Sequence, residues 1–143
     1  MQTAATNLLL VEDDPLQMRI YKHTLLRAFG AEIELECFSD SDEALARIRR
    51  GHVDILLTDL QLPGVGGLRL LQELKTRNRS AQALMMTATS TSSSLLEALD
   101  IGAVDYLLKP IDHELLVRLV RQAEERLLRW RAALAGTLAI SRG

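Results

Sequence analysis

The chain has 143 residues, of which 48% are hydrophobic and 25% are charged, a composition typical of one soluble globular domain. Its net charge of −2 and its aromatic content of 3% exclude a global basic field and a base-stacking platform, so we expect no direct binding to nucleic acid. No apolar run approaches the roughly 20 residues of a membrane span, and the first residues lack the positive region of a signal peptide. The sequence therefore predicts a cytoplasmic protein without membrane contact.

Apolar runs of strand length alternate with longer amphipathic segments. The five predicted strands are Asn7–Val11, Glu32–Cys37, Val53–Thr58, Ala83–Thr87 and Val104–Leu108. Several runs are continuously apolar, which is typical of strands buried on both faces of a parallel sheet. The repeated βα order predicts an α/β fold, in which helices cover both faces of a doubly wound, five-stranded parallel sheet.

The predicted helices begin at residues that favour a helix N-terminus. Asp14 precedes Pro15, and Asp112 precedes a last helix that begins near His113. Two capping boxes open the second and fourth helices, Asp40-x-x-Glu43 and Ser94-x-x-Glu97. The segment Leu68–Leu74 supplies the third helix.

Carboxylate, hydroxyl and ammonium groups follow the predicted strands at their carboxyl ends. They are Glu12 and Asp13, then Asp59, Thr87 and Lys109. Because the carboxyl ends of parallel strands meet at one edge, we expect these side chains to lie close together. Three clustered carboxylates repel one another unless a cation offsets their charge, and Mg²⁺ prefers such oxygen ligands.

This combination suits phosphoryl chemistry. Glu12, Asp13 and Asp59 could hold Mg²⁺, and a loop carbonyl near Gln61 could complete the shell. The metal and the Lys109 ammonium would then offset charge on the phosphoryl oxygens while a carboxylate attacks in line. The sequence therefore predicts a site at which an aspartate takes up a phosphoryl group.

At these positions the chain resembles the receiver domains of two-component response regulators. The resemblance covers about residues 7–130. The segments that carry it are LLLVEDDP at 8–15, DLQLPGVGG at 59–67, MMTA at 85–88 and GAVDYLLKP at 102–110. It implies the flavodoxin-like strand order 2-1-3-4-5. It also implies a phosphorylation-dependent signalling switch rather than an enzyme with steady turnover.

The resemblance implies a role for each site residue. Asp59 is the phosphoacceptor for a sensor histidine kinase, a phosphotransfer protein or a small phosphodonor. The implied Mg²⁺ ligands are Glu12, which acts through water, then Asp13, Asp59 and the Gln61 backbone carbonyl. The residues that bind the phosphoryl group or respond to it are Thr87, Ala88, Lys109 and Tyr106. Thr87 is expected to move towards the phosphoryl oxygen, Tyr106 to swing inward, and the Lys109–Pro110 bond to be cis.

Two departures from the usual family pattern have expected consequences. Gln61, Val65 and Gly66 stand where Met, Met and Asp are frequent. Since Gln61 and Thr89 flank the expected path of the attacking water, these changes put the lifetime of the phosphorylated state in question. The stretch 88–108 contains no Lys or Arg, which disfavours dimerisation through charged pairs on the fourth helix.

The last helix continues past the end that a receiver needs. We expect a single domain over residues 1–143, with a core of about 7–125, a helical extension over 126–135 and a frayed tail over 136–143. At ~1.5 Å per residue, Leu127, Trp130 and Leu134 would lie beyond a five-stranded sheet. They predict either a coiled-coil homodimer seam or a signalling helix into a C-terminal output domain. The alternative is an amphipathic helix that packs on its own sheet. Without an output domain, the chain would act on a downstream protein.

Two other functions remain open at this point. A Mg²⁺-dependent phosphatase with an aspartate nucleophile usually has a second aspartate two residues later, where this chain has Gln61. A flavin-binding module needs a phosphate cradle after the first strand. The carboxylates of Glu12 and Asp13 stand there instead and would repel a phosphate.

Overall fold

The computed structural model describes residues 4–88 and 92–142, in which strands and helices alternate. The strands are β1 Thr6–Val11, β2 Ile33–Phe38, β3 Ile55–Asp59, β4 Gln82–Thr87 and β5 Asp105–Leu108. The helices are α1 Pro15–Phe29, α2 Ser41–Arg49, α3 Gly67–Arg77, α4 Ser92–Ile101 and α5 His113–Arg142. The predicted role of Thr89 lies outside the described residues. Within them, no helix is both long enough and apolar enough to cross a membrane.

All five strands are parallel, in the order β2-β1-β3-β4-β5, which confirms the predicted fold and topology. Alternate residues of β1 point to opposite faces of the sheet. Leu8 and Leu10 pack with α1 and α5, whereas Leu9 and Val11 pack with α2, α3 and α4. Both faces of the central strands are covered, which explains why β3 and β4 are continuously apolar.

Aspartates cap three of the helices as predicted. The Asp14 carboxylate accepts hydrogen bonds from the backbone amides at the start of α1, and Asp40 and Asp112 do the same for α2 and α5. The predicted cap at Ser94 is wrong, because α4 already begins at Ser92 and places Ser94 within its first turn. Serine is only moderately unfavourable inside a helix, so the serine run can continue the helix towards its N-terminus.

The extended part of α5 is attached to its own domain. Leu127 is fully buried, so the prediction that it lies beyond the sheet, free to form a dimer seam, is wrong. The Arg126 guanidinium donates to the Gln82 side chain over 2.9 Å, and Arg131 pairs with the nearly buried carboxylate of Asp54. These contacts fix the helix across the amino-terminal edge of β3 and β4. Only Trp130 and Leu134 of the predicted seam are exposed.

The helix also continues further than expected. It extends through residues 136–142 to Arg142, where the sequence predicted a frayed tail after residue 135. Gly136 does not interrupt it, and a Cβ at this position would meet no neighbouring atom. The Thr137 hydroxyl donates to the Ala133 carbonyl one turn earlier, a bond that a helical threonine can make without leaving the helix.

The two ends of the predicted seam should respond differently to truncation. We expect Leu127→Ala to lower the free energy of unfolding by about 2–5 kcal/mol, because it leaves a cavity in a packed interior. Leu134→Ala, on the exposed side of the same helix, should change stability by less than about 0.5 kcal/mol. Urea denaturation of both variants checks this, and equal losses would contradict the packing of Leu127.

Candidate functional site

The ends of two strands and the residues that directly follow two others form one acidic site at the carboxyl edge of the sheet. Glu12 follows β1 directly, Asp59 is the last residue of β3, Thr87 is the last residue of β4, and Lys109 follows β5. The Lys109 amide donates to the Thr87 carbonyl over 2.8 Å, which extends the β4–β5 pairing up to the site. Each side chain is therefore positioned by the sheet.

Lys109 is the cation at the centre of the site. Its Nζ lies 2.5 Å from a Glu12 oxygen and 2.6 Å from an Asp59 oxygen. Burial works to lower the pKa of Lys109, but its hydrogen bonds to Asp59 and Glu12 outweigh burial and raise the pKa. Lys109 therefore stays protonated and charged between the two carboxylates.

Glu12 occupies the most enclosed position in the site. Its side chain is fully buried, and burial raises its pKa despite the opposing effect of the Lys109 ammonium. Its second oxygen accepts a hydrogen bond from the Asp14 amide over 3.3 Å. The sequence predicted Glu12 as a metal ligand alone, whereas in the structure it also contacts Lys109 directly.

The carboxylates also form a donor set that suits a metal ion. Glu12, Asp13 and Asp59 each offer an oxygen, and these oxygens lie within 4.8 Å of one another. Oxygen donors of this kind fit Mg²⁺, a hard cation that is held by one or two carboxylates together with waters. Asp13 is exposed, so the set is open to solvent on one side.

The loop after β3 folds tightly around Asp59. The Gln61 amide donates to a carboxylate oxygen of Asp59 over 3.1 Å, and the Gly67 amide donates to the Leu60 carbonyl over 3.1 Å. A Cβ atom added to Gly67 would overlap the Asp59 carbonyl oxygen and approach the Leu60 backbone. Only glycine fits this approach of α3 to the loop. Gly67 ends the 59–67 segment, but no local sequence pattern predicts its close approach to Asp59.

The remaining predicted residues lie beside this centre with different exposures. Thr87 is buried, whereas Ala88 is exposed. Tyr106 lies in β5 with its side chain exposed, in an outward position. The Lys109–Pro110 peptide bond is cis, as the resemblance implied.

The fold and site together define a doubly wound α/β protein with an acidic, lysine-containing site at the carboxyl edge of its sheet. A family model described as the response regulator receiver domain matches residues 8–121. The chain belongs to this family, whose members are the regulatory domains of two-component response regulators rather than catalytic enzymes.

Curated relatives agree with this assignment. The chain is 35% identical over 108 residues to the transcriptional regulatory protein MalR of Bacillus subtilis, and 38% identical over 107 residues to the two-component response regulator PhoP of Pseudomonas aeruginosa. The matches cover 76% and 75% of this chain, but only 46% of each relative. The chain thus spans about half the length of these two proteins.

Solved structures share the fold. The receiver domain of an HD domain-containing protein from Pseudomonas fluorescens Pf-5 superposes with a TM-score of 0.83 at 23% identity, covering 92% of this chain and 96% of that one. A CheY-like receiver domain from Methanospirillum hungatei JF-1 gives 0.75 at 25% identity, covering 85% and 96%. The match to the first structure includes most of the chain, although at that identity it bears on the fold alone.

Proposed function

We propose that this chain is a phosphorylation-operated switch whose Asp59 carboxylate takes up the phosphoryl group. The observation that carries the proposal is the Lys109 ammonium, 2.6 Å from Asp59 and 2.5 Å from Glu12. A largely buried cation at this distance offsets negative charge on phosphoryl oxygens bound beside it. The donor would be a sensor histidine kinase or a phosphotransfer protein, or a small acyl phosphate in vitro.

Phosphoryl uptake forms one bond and breaks one. An ionised Asp59 oxygen supplies the electron pair of the new O–P bond. The P–N bond of a phosphohistidine donor breaks, and its electron pair stays on the imidazole nitrogen. Lys109 keeps its proton, because two carboxylates accept hydrogen bonds from it, so its role is electrostatic. Hydrolysis of the aspartyl phosphate would return Asp59 to its starting state.

The same carboxylates would hold Mg²⁺. Glu12, Asp13 and Asp59 supply oxygen donors, and the backbone carbonyl of Gln61 would complete the protein ligands. When bound, the ion supplies positive charge that offsets the oxygens of the incoming phosphoryl group. Glu12 is shared with Lys109, so the ammonium and the metal would act on one connected set of oxygens.

The response would pass through the ends of β4 and β5. An aspartyl phosphate adds roughly −1.5 to −2 charge next to Thr87 and Lys109, which can form new charge-assisted hydrogen bonds with it. A backbone hydrogen bond joins Thr87 and Lys109, so a displacement of the Thr87 backbone would also displace the backbone of Lys109. Tyr106 would then turn inward and change the surface formed by α4, β5 and α5.

That surface would control a downstream protein or a C-terminal output domain. The two curated relatives extend well beyond the region that this chain matches, which is consistent with output domains in those proteins. One of them is named a transcriptional regulatory protein. Output by this chain would therefore proceed through a protein contact made by its own surface or by a domain joined to α5.

The test uses intact mass after incubation with acetyl phosphate and Mg²⁺. We expect one added phosphoryl group on the wild-type chain and none on Asp59→Asn. Asp14→Asn is the matched control, because Asp14 is exposed, caps α1 and can be replaced by another good capping residue. Asp14→Asn should be phosphorylated like the wild type, and a chelator should abolish uptake in both.

Two outcomes would overturn the proposal. One is an unchanged mass increase in Asp59→Asn, which would place the phosphoryl group elsewhere. The other is steady hydrolysis of phosphomonoesters by the purified chain, which would favour the phosphatase alternative.

A further inference from the structure

Three large side chains of α4 and β5, Leu96, Leu99 and Tyr106, are exposed along a groove of about 420 Å³. Leu96 is 58% exposed, Leu99 is 64% exposed and Tyr106 is 48% exposed. The α4–β5 groove is lined by Leu95, Leu96, Leu99, Ala103, Val104 and Tyr106. Clustered exposed apolar groups of this kind usually mark a contact surface.

The charged side chains that α4 and β5 themselves contribute around the groove are all acidic. Glu97 and Asp100 are exposed on α4, and Asp105 lines the groove itself. Residues 88–108 contain no Lys or Arg to offset them. The groove therefore suits a partner that combines apolar anchors with positive charge.

The same chain carries a surface of that chemistry in the second half of α5, just after Leu127. Trp130 is 54% exposed and Leu134 is 51% exposed, one helical turn apart on the same side. Arg129 lies on the same surface as Trp130. Residues 126–143 contain no acidic residue. Arg126 and Arg131 are engaged within the domain, so the exposed Arg129 supplies the positive charge beside Trp130. We call Arg129, Trp130 and Leu134 the α5 tip.

The α5 tip is held in place for contact with a partner. Leu127 is buried against the domain, and Arg131 pairs with the Asp54 carboxylate, on either side of Trp130. The helix backbone at Trp130 therefore has little conformational freedom left to lose on binding, which favours affinity. Because Leu127 is buried, the helix cannot offer the continuous seam that a coiled coil of two α5 helices needs.

We propose that the α5 tip of one copy docks into the α4–β5 groove of a second copy of this chain. Trp130 and Leu134 fill the apolar groove as anchors one turn apart, in the manner of a helix in a groove. Arg129 faces the acidic rim. Every copy carries both surfaces, so a two-fold arrangement makes the contact twice. The contact forms in the unphosphorylated chain and adds a partner to the proposed switch.

Light scattering over a concentration series tests the contact with the full unphosphorylated chain. We expect the mean mass to rise above that of a monomer as concentration increases. Trp130→Ser on the tip and Leu99→Ser in the groove should each weaken association by at least about tenfold. Leu26→Ser, which removes an exposed leucine of α1, is the control and should associate like the wild type. All three sites are exposed, so the fold is spared.

A charge exchange distinguishes this contact from other modes of association. Arg129→Glu and the double variant Glu97→Lys, Asp100→Lys should each associate poorly alone, whereas an equimolar mixture of the two should associate again. A wild-type chain that stays monomeric at every concentration would overturn the proposal. So would association that Leu99→Ser leaves intact, because the α5 ends would then pair with each other, or a mixture that stays monomeric.

Discussion

Replacing Lys109 by methionine should slow phosphoryl uptake on Asp59 by about a hundredfold. Methionine keeps the length of the side chain but removes the ammonium that contacts Asp59 and Glu12 at 2.6 and 2.5 Å. The phosphoryl oxygens then lose a positive partner that is itself largely buried and therefore weakly screened by solvent. The rate of mass increase with acetyl phosphate and Mg²⁺ measures the effect.

Two controls separate charge at the site from general effects of the substitution. Lys22→Met removes an exposed lysine of α1 and should leave the rate unchanged. Lys109→Met also leaves the buried Glu12 carboxylate without its cation, which lowers stability. Adding Glu12→Gln should recover part of that stability without restoring the rate. A Lys109→Met chain that is phosphorylated as fast as the wild type would contradict the electrostatic role of Lys109.

Gly67→Ser should lower the free energy of unfolding by about 1–3 kcal/mol, because the new Cβ has no room. It would overlap the Asp59 carbonyl oxygen and press on the backbone of Leu60. Relief requires α3 or the loop to move, and that loop carries the amide of Gln61 that hydrogen-bonds to Asp59. We therefore expect slower phosphoryl uptake together with the lower stability.

The neighbouring glycine provides a matched comparison. Gly66 immediately precedes α3, and a Cβ there meets no atom within 4 Å. Serine is a favourable residue at this capping position, so Gly66→Ser should be neutral or slightly stabilising. Urea denaturation and the phosphorylation rate are measured for both variants. If Gly66→Ser and Gly67→Ser behave alike, the close approach of α3 to Asp59 is not what constrains this loop.

Local signals predict the fold well because they agree with the tertiary contacts. The apolar runs of β3 and β4 are continuous, and the structure buries both faces of these strands. Asp14 and Asp40 cap helices where the sequence placed them, because a cap depends on a few neighbouring backbone groups. The predicted cap at Ser94 was wrong because a serine-rich segment can either precede a helix or form its first turn. The local sequence pattern does not decide between these two structures.

The end of α5 could not be predicted from spacing. Apolar residues that recur every three to four positions suit both a coiled coil and a helix packed on its own sheet. Arg131 and Asp54 decide between them, and they are 77 positions apart in sequence. No local sequence pattern predicts an ion pair between residues at that separation.

The sequence predicts which residues form the site, but it does not predict which of their side chains contact one another. Parallel strands bring their carboxyl ends together, so Glu12, Asp59 and Lys109 could be expected as neighbours. Which carboxylate the ammonium would contact depends on side-chain directions that the sequence does not encode locally. In the structure it contacts both, and Glu12 is the more deeply buried of the two.

The position of Trp130 gives the molecule a built-in optical reporter. It is the only tryptophan, it is exposed, and its neighbour Arg131 is anchored to Asp54, just before β3 begins. Asp59 is at the other end of β3, roughly 17 Å away at ~3.3 Å per residue. In an unassociated chain, chemistry at Asp59 should therefore leave the emission spectrum almost unchanged. Burial of the indole against a second molecule should shift emission to shorter wavelengths. The emission spectrum of Trp130 should therefore distinguish phosphorylation of Asp59 from association of two chains.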